Sequence, residues 1–487
     1  MEGESNGANL YEKGEDMAYK DDIALMAHLM RRAGFGASRT ELEVRVARGY
    51  EATVEELLEP DKYGLSENDE DLLFRHLPST MLPGGVHLPG QANYIWQMIN
   101  TKRPLQEKTA LFWHHVFATG NSKIDNCDQM MAQINMFRKH GLGNYRDLLV
   151  GLARNPAMIF WLDNNENHKD APNENWGREL LELFSMGQGN YTEKDVYECS
   201  RAFTGWTIAA KIPRLPLGRF LWNFEYKAED HDDGEKVFLG HRGRFNGEDV
   251  IDIVVRQPAT ARFIARHLYN FFVADEQQVP AWLHTPPRDP VAINMLGDAF
   301  ISSGYDMRST LRVLFNSDFF KNARYQKVKS PAEVVVGTIN LVGDFKGIPK
   351  PGLHALGGEP SNMGQDLLNP PSVEGWHTGS EWIDSGSLVR RINFVADRVG
   401  DLSLPGVQDI VNRVRAQGTI SPERLVESCL DLIGPAQVSE GTYQELLSHA
   451  QQAGRVRWDT EEAASTSARR VTEMLQLIAS SREYQFG

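Results

Sequence analysis

The chain has few cysteines and no long apolar run. Only three cysteines occur among 487 residues, and their spacing suits neither a disulfide framework nor a zinc knuckle. No stretch is apolar over the roughly 20 residues that a membrane-spanning helix needs, and residues 1–20 lack the basic start and apolar stretch of a signal peptide. These absences predict a cytoplasmic protein that does not insert into a membrane.

Positive charge is also in short supply. Basic residues number 51 against 66 acidic ones, which gives a formal net charge of -15. A field of this sign repels nucleic acids and anionic lipids, so nucleic acid is not expected as a partner. Hydrophobic residues make up 41% of the chain, which is enough for a large core.

Apolar residues recur at helical spacing through most of the sequence, beginning with Ile23, Met26 and Met30. The expected fold is therefore mainly α, a large irregular helical domain. The exception is the segment from Phe220 to Tyr226, in which aromatic residues alternate with other residues before an Asp-Gly turn at 233–234. This pattern predicts a short β-hairpin insertion near 220–240.

Composition divides the chain into three parts. Residues 1–20 are polar and are expected to form a disordered tail. The main helical domain is expected at 21–400, with the β insertion at about 218–240 and a glycine- and proline-rich loop at about 346–379. Residues 401–487 are expected to form a C-terminal helical bundle, either separate or part of the same domain.

Familiar catalytic signatures are missing too, including the Walker loop, the Gly-x-Ser-x-Gly elbow and the His-Glu-x-x-His zinc helix. The densest polar cluster is Glu174, Arg178, Glu179 and Glu182, which share one sector of a predicted helix. These acids either form surface ion pairs or serve as a general acid/base pair or as oxygen ligands of a divalent cation. The spacing leaves these alternatives open.

A second helix is predicted to follow this cluster. Thr192 and Asp195 stand three residues apart at its start and match a capping box, which explains Asp195 without a catalytic role. The helix is expected to end near Gly205, with Trp206 turned back onto the core.

Histidines and tryptophans supply the remaining candidates. His231 lies in an acid-rich turn and is a candidate acid/base group, while Trp376, His377 and Trp382 lie in a structured loop of the kind that often carries function. His114 and His115 are adjacent, about 100° apart around a helix. One of them is therefore expected to pack in the core and the other to face solvent or a pocket.

Several ordered stretches together resemble the large bacterial family catalogued as domain of unknown function 1800. They are His28 to Gly36, Pro104 to Lys108, Leu111 to His114, Asn173 to Trp206, His231 with Lys236 and Gly240, Ala261 to Ala265, Pro370 to Trp376, and Ser481 to Gln485. The resemblance brings no established activity. It implies that many relatives are exported beside sulfatase-like companions, whereas this sequence shows no leader.

Two functions are consistent with these residues. The first is an enzyme that performs acid/base or cation-assisted hydrolysis of a small polar, glycan-like substrate. The second is a non-catalytic binding or assembly protein in which the same clusters are structural ion pairs. No cofactor or protein partner is identified, although a divalent cation is allowed. The candidate catalytic residues are Glu174, Arg178, Glu179, Glu182 and His231, and the candidate substrate-binding residues are Trp176, Trp206, Trp376, His377 and Trp382.

Overall fold

A computed structural model describes residues 5–67, 70–81, 88–209 and 222–487. These residues form 24 α-helices and two small two-stranded sheets, which confirms the mainly α fold with a short β insertion. No helix in this part of the chain is long and apolar enough to cross a bilayer.

The helices of the N-terminal half are α1 (Ser5–Arg32), α2 (Arg39–Arg48), α3 (Tyr50–Leu58), α4 (Glu70–His76), α5 (Leu88–Asn100), α6 (Pro104–Val116), α7 (Asn121–Ile124), α8 (Cys127–His140), α9 (Tyr145–Ala153), α10 (Pro156–Trp161), α11 (Asn175–Glu182) and α12 (Glu193–Ala202). Those of the C-terminal half are α13 (Gly247–Val255), α14 (Pro258–Phe272), α15 (Pro290–Ser302), α16 (Met307–Asn316), α17 (Asp318–Lys321), α18 (Pro331–Val342), α19 (Leu353–Asn362), α20 (Ser385–Val399), α21 (Pro405–Arg415), α22 (Pro422–Leu432), α23 (Glu440–Gln452) and α24 (Glu461–Ala479).

Local sequence explains many of these helix starts. Proline occupies the first position of α6, α10, α14, α15, α18, α21 and α22, where its missing N–H costs no hydrogen bond. Ser38 accepts a hydrogen bond from the Glu41 N–H at the start of α2. The predicted capping box of Thr192 and Asp195 starts α12. Sequence-local caps therefore fix where these helices begin.

The strands of the β insertion pair differently from the hairpin that the sequence predicts. Strand β1 (Trp206–Ala209) pairs antiparallel with β2 (Asn223–Tyr226), and β3 (Lys236–Phe238) pairs with β4 (His241–Gly243). The Asp-Gly turn at 233–234 therefore joins two sheets instead of two paired strands. Phe220 and Leu221, the start of the alternating run, lie outside the described residues.

A helix occupies part of the segment expected to be a loop at 346–379. Helix α19 packs on α5, and the buried residues Leu353, Leu356, Gly357 and Pro360 form its inner face. A Cβ on Gly357 would lie 2.7 Å from the Ala92 Cα. Gly357 is one of the glycines whose number suggested a loop here. It is needed because α19 and α5 pack so closely that no larger residue fits.

One hydrophobic core runs through the described residues, from Ile23 to Ala479. The C-terminal helices contact the N-terminal ones directly, because Arg413 of α21 pairs with Glu43 of α2 at 2.9 Å and Arg31 of α1 donates a hydrogen bond to the Gly434 carbonyl after α22. The division at residue 400 into a main domain and a C-terminal segment stays a prediction.

Candidate functional site

Helix α11 carries the acid and arginine cluster. Its inner face consists of Trp176, Gly177, Leu180 and Leu181, all buried. A Cβ on Gly177 would lie 2.5 Å from the Ser200 Oγ, so α11 lies close against α12. With one face buried, the polar residues of α11 are directed to the opposite side.

Arg178 is held at the rim of this polar face. Its Nη2 lies 2.7 Å from Glu193 Oε2 and 3.1 Å from Glu174 Oε2. These two carboxylates raise the pKa of the guanidinium above its ordinary value, and the hydrogen bond that Arg178 donates to Glu193 contributes most. Arg178 therefore pairs with two acids of the outer surface and not with Glu182.

Glu182 is fixed by neutral donors. The Tyr191 hydroxyl donates a hydrogen bond to Glu182 Oε2 at 2.8 Å, and the Gln188 side-chain amide donates to Oε1. Both donors follow α11 in the chain, in the turn that leads to α12. The turn thus sets the orientation of the Glu182 carboxylate.

Glu179 lies one turn before Glu182 on the same helix and is half-buried. Among the described residues, no side chain donates a hydrogen bond to its carboxylate. Burial raises the pKa of Glu179 to about 7, and the charges of Glu182 and Glu374 add to the rise while Arg178 opposes it. A carboxyl group of this kind can both give and take a proton near neutral pH.

A cleft opens beside these acids, between the end of α11 and α14. Gly187 makes the turn that closes it, with φ of 77°, and a Cβ at this position would lie 2.8 Å from the Phe263 ring. Phe263, Trp282 and Leu283 give the cleft an apolar wall, and Glu182 and Glu374 lie at its edge. Glu179 does not line the cleft, but the negative charges of both acids raise the pKa of its carboxyl.

Basic groups face the acids across the cleft. The Arg266 guanidinium lies 4.5 Å from the centre of the Trp282 ring and is paired with Glu276 at 2.8 Å. Arg262 also lines the cleft and is exposed; it has no ion-pair partner in the described part of the chain. The cleft thus offers acids, a free guanidinium and a half-buried indole to a ligand.

Two neutral histidines lie behind the cleft. His115 Nδ1 accepts a hydrogen bond from the Trp376 N–H at 3.3 Å, and burial lowers its pKa to about 4. His267 packs against the Phe263 and Trp282 rings, its buried Nε2 has no partner, and burial together with His115 lowers its pKa. Both imidazoles are therefore uncharged at neutral pH.

The adjacent histidines lie in different environments. His114 is fully buried, and its Nε2 accepts a hydrogen bond from the Leu368 N–H at 3.1 Å. His115 is partly exposed and touches the loop that carries Glu374. Gly375 permits this contact, because a Cβ there would lie 2.6 Å from His115 Nδ1.

The tryptophans proposed as pocket walls mostly pack in the core. The Trp176 and Trp206 rings both meet the Phe203 ring edge-on, and Trp206 Nε1 donates to Asn246 Oδ1 at 2.9 Å. Trp376 and Trp382 are also buried. None of these four indoles lines the cleft.

The two remaining candidates lie away from the acids of α11. His231 is buried in the β insertion, with its Nδ1 2.9 Å from the Thr204 carbonyl oxygen. His377 is exposed, and its Nδ1 lies 2.8 Å from Glu381 Oε2. Within the described ranges, no three His, Cys, Asp or Glu side chains are grouped closely enough to hold a metal ion.

Sequence reasoning did not select several residues of the cleft. Glu374, Trp282 and Arg262 come from three different chain segments, and no fixed spacing relates them to α11. The only sequence signal near them is that residues 261–265 and 370–376 are among the stretches that carry the family resemblance.

Comparison with known proteins places the chain in a family. No curated protein and no solved structure matches it. A family model described as "Protein of unknown function (DUF1800)" matches residues 28–486, which is nearly the whole chain and includes α11, α14 and the loop with Glu374. The chain therefore belongs to the DUF1800 family.

Proposed function

We propose that this protein is a hydrolase that uses acid/base chemistry on a small polar, glycan-like substrate bound in the cleft between α11 and α14. The observation that carries the proposal is the Glu179 carboxyl, which is half-buried, accepts no hydrogen bond from a described side chain and has a pKa raised to about 7 beside two further acids. Such a group is costly to keep in a fold and is typical of a proton-transfer site.

The proposed roles follow from the contacts of each acid. Glu179 does not itself line the cleft, so it gives its proton to the leaving group through one intervening water; a pKa of about 7 leaves about half of it protonated near neutral pH. Glu182, oriented by Tyr191 and Gln188, accepts a proton from the attacking water. Burial is the main cause of the high pKa of Glu179, the charge of Glu182 comes next, and the charge of Glu374 adds a smaller part.

Substrate binding is assigned to the other side of the cleft. The half-buried Trp282 indole offers a flat apolar face to a sugar-like ring, and the unpaired Arg262 guanidinium offers hydrogen bonds to hydroxyl or anionic groups. No step of the proposed reaction requires a cation. The three unpaired, buried cysteines support the cytoplasmic location that accompanies this proposal.

The test is a panel of nitrophenyl glycosides, esters, sulfates and phosphates, assayed from pH 5 to 8 with wild type and Glu179→Gln. Glutamine keeps the shape of the side chain and cannot transfer the proton, so kcat on any converted substrate should fall about 10²–10⁴-fold. Glu445→Gln is the matched control, because Glu445 is exposed on α23 and makes no side-chain contact there.

Two results would contradict the proposal. Equal kcat for Glu179→Gln and wild type on a converted substrate would remove Glu179 from the reaction. Binding of panel compounds without turnover by wild type would instead favour the non-catalytic alternative.

A further inference from the structure

A second cavity lies at the junction of α1, α18 and the C-terminal residues, and none of its lining residues lines the cleft. Phe35, Leu42 and Ile433 form an apolar floor, and Arg31 and Lys329 line its wall. Its volume of about 80 Å³ is enough for a few water molecules or one small ion.

Basic groups outnumber acids around this cavity. The bases are Arg31, Arg32, Lys108, Lys329 and Arg391, and the acidic side chains are Glu333 and Glu483. A negative group on Gly487, which also lines the cavity, would still leave five bases against three acids. Buried charge of one sign is costly unless it is compensated.

Glu333, the buried acid of this cavity, already forms two ion pairs. Glu333 Oε1 lies 3.0 Å from Arg32 Nη1 and also pairs with Lys108. Among the described residues, no carboxylate forms an ion pair with Arg31, Lys329 or Arg391. These three basic side chains therefore have no anionic partner in the described part of the chain.

These basic side chains also have N–H groups that donate no hydrogen bond to a described residue. The Nε and Nη2 atoms of Arg31 are buried and have no acceptor, while its Nη1 reaches only the Gly434 carbonyl at 3.3 Å. Lys329 Nζ donates to the Tyr484 carbonyl at 2.6 Å and has two further N–H groups.

Arg391 lies behind Lys329, to whose carbonyl its Nη2 donates at 2.6 Å. Its Nη1 is buried without a partner. Burial, together with Arg31 and Arg391, lowers the pKa of Lys329 well below its ordinary value.

We infer that this cavity binds a small oxyanion of the phosphate or carboxylate class, held by the orphaned N–H groups of Arg31 and by Lys329. An oxyanion supplies both missing features, a negative charge and several acceptor oxygens at one point. The small volume of about 80 Å³, lined in part by Tyr325, Tyr484 and Phe486, favours a compact anion. This site is independent of the cleft and of the function proposed there.

The test is titration calorimetry of the full chain with inorganic phosphate and, separately, with acetate, each in sodium chloride of constant ionic strength. Wild type should bind at least one of them with a stoichiometry of one. Arg31→Met removes the orphaned donors and keeps part of the apolar stem, so affinity should fall about tenfold or more. Arg256→Met is the matched control, since Arg256 is exposed and makes no ion pair with a described residue.

Arg31→Lys provides a second variant that keeps the charge and is expected to fold if Arg31→Met does not. It lacks the planar guanidinium, so affinity should again fall, by several-fold. The inference is overturned if neither anion binds wild type, if Arg31→Met and Arg31→Lys both bind as tightly as wild type, or if Arg256→Met weakens binding equally.

Discussion

Replacing Glu179 by glutamine should stabilise the protein in alkaline but not in acidic solution. The pKa of Glu179 is raised from 4.5 to about 7 in the folded state, so the folded chain holds this proton more tightly than the unfolded chain does. Between these two pH values stability falls as pH rises, because folding takes up a proton. Below pH 4.5 both states are protonated and the penalty is absent, whereas above pH 7 it is complete.

The size of the effect follows from the change in pKa. A rise from 4.5 to about 7 corresponds to at most about 3 kcal/mol of unfolding free energy. The carboxyl is only half-buried, and solvent screening reduces the expected penalty to roughly 1–2 kcal/mol. Unfolding entropy of a chain of this length is about 1 kcal/mol per degree, so Glu179→Gln should raise Tm by about 1–2 °C above neutrality.

Differential scanning calorimetry at pH 5 and pH 8.5 measures this difference. The difference in Tm between Glu179→Gln and wild type should be small at pH 5, where only a minor part of the penalty has developed, and clearly positive at pH 8.5. Glu445→Gln, which removes an exposed charge, controls for the net charge of the chain and should show no such dependence. An equal shift at both pH values would refute the raised pKa of Glu179 and with it the reason for assigning proton transfer to this residue.

Three other substitutions test the fold. Gly357→Ala should lower stability by about 1–3 kcal/mol, because its Cβ would lie 2.7 Å from the Ala92 backbone. Gly358→Ala is the control and should be neutral or stabilising, because the atom nearest to its Cβ would lie 3.5 Å away. Thermal unfolding of the two variants checks this difference. Thr192→Ala removes a side-chain cap and should cost about 0.5–2 kcal/mol, visible as faster amide hydrogen exchange at the start of α12. Glu333→Gln leaves two buried bases unpaired and should cost about 3–5 kcal/mol in denaturant unfolding at pH 7. The pKa of the Glu333 carboxyl is held below its usual range by these bases despite burial, so its contribution is present above pH 4.5 and should be lost at strongly acid pH.

Local chemistry made part of the fold predictable. The mainly α class follows from apolar spacing, and the start of α12 follows from Thr192 and Asp195, since a capping box needs only residues three positions apart. Alternation also placed a strand correctly at Asn223–Tyr226. Each of these features depends on neighbours in the sequence.

Features that depend on distant residues were not predictable. The partner of the strand at Asn223–Tyr226 is Trp206–Ala209, which the sequence suggested only as the end of a helix. Gly205, with φ of 77°, turns the chain so that β1 can follow α12. The Asp-Gly turn at 233–234 instead contains a local hydrogen bond, which Asp232 Oδ1 accepts from the Gly234 N–H at 2.8 Å. An Asp-Gly pair predicts that the chain turns, but it does not predict which strands pair with each other.

The candidate site divides in the same way. Helical spacing placed Glu179 and Glu182 together, and it also placed Arg178 beside them, which suggested a neutralised ion-pair strip. Arg178 instead pairs with Glu193, which belongs to the next helix. The spacing of residues within α11 does not predict this ion pair.

The engagement of Arg178 explains how an acid can stay unpaired beside an arginine. Arg178 is the only base of α11, and its Nη2 is held by Glu174 and Glu193 on the outer side of the helix. The two acids therefore largely balance the positive charge of Arg178, while the negative charges of Glu182 and Glu374 raise the pKa of Glu179. A surface strip built only for stability would pair Arg178 with the half-buried acid, since that pairing is less screened by water. The arrangement instead leaves the half-buried Glu179 carboxyl without an ion pair to any described residue, which is the departure from local stability expected at a functional site.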